Sequence, residues 1–196
     1  TARTITVHIF GEASNVGSFT VSAVNTAFNA LVAAGGPTDL GTVRQIKVLR
    51  GNKAKILDLY AFLDNPALQY DFFLEDNDLL HVPLAQRVVS VQGAVRRPFR
   101  YELLPTENLF KLLDLAGGLT ASAYNEVIQV RRYVENRQVL IDIPLRELVA
   151  QKSDFPLLNG DEIAVRTVTL PIQNTAGIEG NVAQPGTYAL SETKRL

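Results

Sequence analysis

Apolar and polar residues alternate through Val7-His8-Ile9-Phe10, stop at Gly11, and resume after a short polar turn at Gly17-Ser18-Phe19. A period of two puts every second side chain on one face, so the stretch reads as strand, turn, strand. The period then changes. Ala27, Ala30, Leu31 and Ala34 fall at 0, 3, 4 and 7, one face of a helix, and Gly35 provides the left-handed residue that closes it. Alternating runs at 44–50 and 54–59 predict two strands, 60–63 a short helical turn, and 79–82 a last strand.

The same order then returns. Val89-Ser90-Val91-Gln92-Gly93-Ala94-Val95, followed by Pro98-Phe99-Arg100-Tyr101, repeats the first hairpin. Leu109, Leu112, Leu113 and Ala116 repeat the helix face, with Thr106 expected as its N-cap, Glu107 at its positive end and Gly117 as its stop. Strands are predicted at 127–134 and 138–143, a helical turn at 144–149 and a last strand at 163–166. Equivalent positions lie 82 to 84 residues apart, as in Gly11 and Gly93, Gly35-Gly36 and Gly117-Gly118, or Asp58 and Asp142. A register held through five separate blocks is a duplication, and its length is that of a small domain rather than of a solenoid unit.

The duplication divides the chain into domains at 1–85 and 86–170. A third hairpin starts again at Ile178-Glu179-Gly180, with Pro185-Gly186-Thr187-Tyr188 after it. Residues 171–196 are therefore expected to hold a linker and the first hairpin of a truncated third repeat, marginal as an isolated hairpin. Hairpin, helix and further strands closing a mixed sheet over that helix is the β-grasp (ubiquitin-like) order. The predicted class is α+β, as tandem β-grasp domains.

Composition narrows the function. Nineteen basic and twenty acidic residues give a net charge of -1, without the basic excess that neutralises phosphates, so nucleic acid is not an expected partner. No apolar run reaches the roughly 20 residues of a spanning helix. Cysteine is absent, which excludes disulfides, thiolate chemistry and Cys-based zinc sites. There is no initiator methionine, signal peptide or lipobox cysteine, so the expectation is a piece of a longer chain.

The motifs of the second copy resemble those of the SLBB (soluble-ligand-binding β-grasp) domain. They comprise Gly93, Pro98, Tyr101, Leu109, Leu112, Leu113, Ala116, Gly117, Gly118, Thr120, Val130, Arg131, Gly160, Asp161, Ile163 and Val165. The first copy keeps Gly11, Gly35 and Gly36 but has Gly17 and Phe19 around its turn and Asn77-Asp78 in place of Gly-Asp. The tandem copies are most similar to bacterial polysaccharide (capsule or exopolysaccharide) export proteins. That resemblance implies a periplasmic location at the outer membrane and homo-oligomeric rings of the full-length protein with other envelope export components. It also implies possible polysaccharide contact, with no cofactor. The rival expectations are a carbohydrate-binding or scaffold protein that forms no channel, and a carbohydrate-active enzyme.

Candidate chemistry is sparse. Arg96, Arg97 and Arg100 gather at the second hairpin turn, and Arg131 and Arg132 form another basic group; guanidinium groups there could grip acidic sugars or a neighbouring subunit. Tyr101 is expected in the core because an aromatic recurs there in each copy. Glu75, Asp76, Asp78, Asp161 and Glu162 could suggest paired carboxylates, but their recurrence at a turn favours backbone capping. His8 and His81 lack further ligands, so no metal is expected. The double glycines follow a helix, whereas phosphate loops precede one. No Ser-His-Asp set is legible, and the expectation is a protein that is not an enzyme.

Overall fold

In β1 (Thr4–Gly11) the alternation becomes burial: Ile5, Val7 and Ile9 are buried, while Thr6, His8 and Phe10 lie towards the outer face. The computed structural model describes residues 3–65, 67–68, 72–169 and 173–190. It is a mixed α/β structure with few, short helices and two five-stranded mixed sheets.

β1 pairs antiparallel with β2 (Gly17–Ser22), and α1 (Ala27–Ala33) follows. A second hairpin, β3 (Ile46–Arg50) and β4 (Lys53–Leu57), leads through α2 (Leu59–Asp64) to β5 (Leu79–Val82). β5 enters the middle of the sheet, parallel to β1 and antiparallel to β3, which gives the order β2-β1-β5-β3-β4. The second half repeats every step. It comprises β6 (Val88–Gly93), β7 (Phe99–Glu102), α3 (Leu109–Leu115), β8 (Ala123–Val134), β9 (Arg137–Pro144), α4 (Leu145–Gln151) and β10 (Glu162–Thr167), in the order β7-β6-β10-β8-β9. β11 (Thr175–Ile178) and β12 (Gly186–Ala189) then form a separate, largely exposed hairpin. Of the expected third repeat, 171–172 and 191–196 fall outside the described residues.

Each sheet buries one face under its first helix. Ala27, Ala30, Leu31 and Ala34 share a core with Val7, Ile9, Ile46, Val48 and Leu80; Leu109, Leu112, Leu113 and Ala116 share one with Val89, Val91, Ile128, Val130 and Ile163. Both helices end alike. Gly36 N–H reaches Leu31 O and Gly118 N–H reaches Leu113 O, each at 2.8–2.9 Å, as in a Schellman closure.

Two elements depart from the sequence pattern. β8 begins at Ala123 instead of 127, because a register shift between Val165 and Thr167 brings Thr167 opposite Ala123 and prolongs the pairing. α3 begins at Leu109, not after Thr106. Residues 104–107 form a turn closed by Glu107 N–H to Leu104 O at 2.9 Å, so Thr106 caps nothing and Asn108 stands at the N-cap without a side-chain bond.

The close parallel pairing of first and last strands constrains one residue in each half. Gly11 and Gly93 have φ of 89° and 88°, and a Cβ on either would run into the carbonyl oxygen of Val82 or Val165. Left-handed backbone costs a non-glycine residue about 1–2 kcal/mol, before any clash. Gly160 also has positive φ, but nothing lies within 4 Å of its would-be Cβ. Gly93→Ala should therefore lose at least ~2 kcal/mol of stability and Gly160→Ala only about 1–2 kcal/mol in chemical denaturation; equal losses would show that backbone strain alone governs both sites.

Candidate functional site

An arginine side chain is costly to bury unless each face of it finds a partner. Arg44, just ahead of β3, is 5% exposed. Its Nε and Nη2 grip Asp58 at 3.0–3.3 Å, and Nη1 donates to Glu107 and to the Glu102 carbonyl, the latter at 3.4 Å. The guanidinium also lies 5.0 Å from the centre of the Tyr60 ring. Burial alone would lower its pKa, but hydrogen bonds and charge from Glu107 and Asp58 more than offset that and raise it, so the cation is held.

These partners come from both halves. Glu102, at the end of β7, is 7% exposed, and its carboxylate accepts from Thr42 Oγ1 at 2.6 Å and Val43 N–H at 2.8 Å. The Thr42 hydroxyl in turn accepts from Arg44 and Gln45 N–H at 3.1 and 2.9 Å. Glu102 N–H donates to the Tyr60 hydroxyl at 3.3 Å. Burial pushes the Tyr60 phenol above its ordinary pKa, with the bond to Glu102 pulling the other way. Glu107 is set in place by the turn it belongs to, whose Leu104 N–H it accepts at 2.8 Å, and Arg87 donates to the carbonyls of Leu104 and Glu107. The linker joins the same knot: Gly41 bridges Leu84, and Thr42 N–H reaches Pro83 O at 2.8 Å.

Beside this clamp lies a cleft of about 370 Å³. One side is the loop 37–43 with Thr38 and Asp39, the other is β7 with Phe99 and Arg100, and Tyr60 and Tyr101 belong to both the lining and the aromatic packing behind it. Tyr101 is in the second core at 9% exposure, and its hydroxyl donates to Arg97 O at 2.8 Å. Tyr188 repeats that bond to Gln184 O at 2.8 Å in the third hairpin. Phe99, edge-on to Tyr101 with ring centres 6.4 Å apart, is 72% exposed.

The arginines singled out in the sequence part company. Arg100 lines the cleft, Arg96 is exposed, and Arg97 donates to Leu115 O at 2.9 Å at the end of α3. Arg131 pairs with Glu162 at 2.8 Å on the open sheet face. Arg132 is committed inside the fold: Nε and Nη2 hold Asp161 at 2.9 and 2.7 Å, and Nη2 also reaches Pro156 O. That bond to Asp161, against the cost of burial, raises its pKa. Asp161 is 1% exposed and accepts Leu158 N–H at 2.8 Å. Asp78, Arg50 and Glu75 N–H build the same ionic turn in the first half. The recurring carboxylate thus caps a turn and also anchors an arginine. His8 bonds Ser18 at 2.8 Å, His81 stacks on Phe10, and no metal-holding group of three side chains occurs among the described residues.

Sequence reading missed Thr42, Arg44, Tyr60 and Glu102, saw Asp58 only as a marker of the repeat, and took Glu107 for a helix-end charge, whereas α3 has no acidic residue in its first turn and Glu107 holds Arg44. Nothing in their spacing marks them, and the one available signal was asymmetry: Arg44 stands where the other copy, 82 residues on, has Glu126.

Breaking the clamp should uncouple the halves. Arg44→Met leaves Asp58 and Glu107, both partly buried, without their cation and should cost about 2–4 kcal/mol. Denaturation followed by separate probes, Tyr60 and a label at Tyr133, should change from coincident to non-coincident transitions; unchanged midpoints would show that the clamp carries no coupling.

No helix among the described residues is long and apolar enough to cross a membrane. No curated protein matches the chain. Residues 88–144, which run from the start of β6 to the end of β9 and contain β7, Arg100 and Tyr101, match the SLBB domain.

Proposed function

We propose that this chain is a non-enzymatic, periplasmic ligand-binding module of a bacterial polysaccharide export protein, built from tandem β-grasp domains at 1–85 and 86–170. The observation that carries the reading is the SLBB domain at 88–144 together with the same strand order, β2-β1-β5-β3-β4, in the half before it. SLBB domains are commonly parts of such export proteins. A first-to-last parallel pair with one helix over a five-stranded sheet also agrees with the β-grasp description.

A binding role suits the chemistry of the cleft better than hydrolysis. Glycoside hydrolysis needs two carboxylates free to act on one bond, roughly 5–10 Å apart. Asp39 and Glu102 both line the cleft, but Glu102 is buried and already accepts from Thr42 and Val43. In this reading the module works by geometry. The clamp holds two rigid domains in one arrangement, and head-to-tail contacts between copies of the full-length protein close into a ring among other envelope components.

Deleting the gene that encodes the full-length protein should trap polysaccharide inside the cell envelope, and the purified full-length protein should show the mass of a closed homo-oligomer by light scattering. Normal surface polysaccharide in the deletion strain, or a monomer at all concentrations in detergent, would overturn the export reading.

A further inference from the structure

The cleft between the halves contains two opposite charges that the fold does not use. Among the described residues, no hydrogen bond or ion pair engages the Arg100 guanidinium or the Asp39 carboxylate, although Glu102, the other charged residue of the lining, and Arg44, Asp58 and Glu107 of the clamp are all paired. Arg100 comes from β7 and Asp39 from the loop 37–43, so each half supplies one. Both are exposed.

The backbone adds to this. β7 is an edge strand, joined to β6 on one side only. Val89 and Tyr101 face each other across that pair, and Glu102 N–H points the opposite way, to Tyr60. Strand groups alternate in direction, so the N–H and C=O of Arg100 point the same way as those of Glu102, outwards beside the cleft. Phe99 then provides an open aromatic face at the rim, 72% exposed where its neighbour Tyr101 is buried. The walls are fixed: Thr38 N–H is bonded to Glu12 O at 2.9 Å, Ala85 N–H to Leu40 O at 2.9 Å, and Glu102 is locked to Thr42.

We propose that this cleft binds an acidic oligosaccharide segment, with a uronate carboxylate on Arg100, ring hydroxyls on Asp39 and the Arg100 backbone, and one apolar sugar face on Phe99. A guanidinium presents paired donors to a carboxylate, an unpaired carboxylate accepts from vicinal hydroxyls, and an exposed ring covers the C–H face of a sugar. A volume of about 370 Å³ is near the lower end of small-molecule sites, enough for about one or two sugar rings rather than a long chain. The proposal deepens the export reading and rests on it for the choice of a saccharide. It differs from the basic cluster read in the sequence, since Arg97 is tied to Leu115 and, of the three hairpin arginines, Arg100 is the one that lines the cleft.

The test uses this chain, with a galacturonate trisaccharide as probe and its methyl ester as the uncharged counterpart. Amide NMR titration should show saturable shifts at Asp39, Ala85 and Arg100 with the acid. Phe99→Ala should weaken binding of both probes roughly tenfold, and Arg100→Gln should weaken the acid roughly tenfold to a hundredfold while leaving the ester as it was. Both side chains are exposed, so neither substitution should alter the fold, which the unchanged remainder of the spectrum checks. Absence of saturable shifts at these amides, equal affinity for acid and ester, or two variants that bind like the parent chain would each overturn the site. Since binding is read on the isolated chain, that failure leaves the export reading standing, and a deletion strain that still exports leaves the site standing.

Discussion

A guanidinium taken out of water has to be surrounded, and the arrangement of this molecule follows from how Arg44 meets that demand. Its own half supplies Asp58 and the face of Tyr60, and the other half supplies Glu107 and the carbonyl of Glu102. Neither half alone satisfies it. The Glu102 carboxylate has the same problem and the reverse solution, taking Thr42 and Val43 from across the joint. Charges that each need the opposite half fix the angle between the sheets far better than apolar contact would, because hydrogen bonds are directional and apolar contact is not. The cleft exists because that angle is held.

Comparing the two halves separates what the fold requires from what the joint requires. The double-glycine helix stops, the glycine at the end of the first strand, and the arginine–aspartate turn occur in both. They are conditions of the sheet and helix, wherever in the chain the unit stands. The clamp is not repeated. Glu126, in the place of Arg44, pairs with Arg146 at 2.9 Å on an exposed surface, where such a pair contributes little. Arg100 and Asp39 are likewise peculiar to the joint. Chemistry specific to this protein therefore gathers between its halves rather than within either.

The ionic turns show how a sequence pattern can be read correctly and incompletely. Asp78 and Asp161 sit where turn formers are expected, and each does accept a turn N–H. What the pattern does not contain is the strand that comes alongside: Arg50 and Arg132 lie 28 and 29 residues away and reach the same carboxylates only once the hairpin has packed. For that reason the sequence offers Arg132 as a candidate ligand or subunit contact, whereas its guanidinium is held by Asp161. The start of α3 is a similar case, because the turn at 104–107 takes the backbone that Thr106 would have capped.

The sequence by itself determined the element types, their order and their doubling, since periods of 2 and 3.6 and the glycine stops are local properties of consecutive residues. It also determined which faces of those elements are apolar, and so that Val7, Leu31, Leu112 and Ile163 would be buried. The tertiary structure alone decided which end of each sheet faces the other, that Glu102 would cross to Thr42 and Glu107 to Arg44 over separations of 60 and 63 residues, and which arginine of the hairpin would line the cleft. Long-range polar pairing leaves no period in a sequence. It is set by the meeting of two surfaces that are far apart in the chain, and only the folded molecule brings them together.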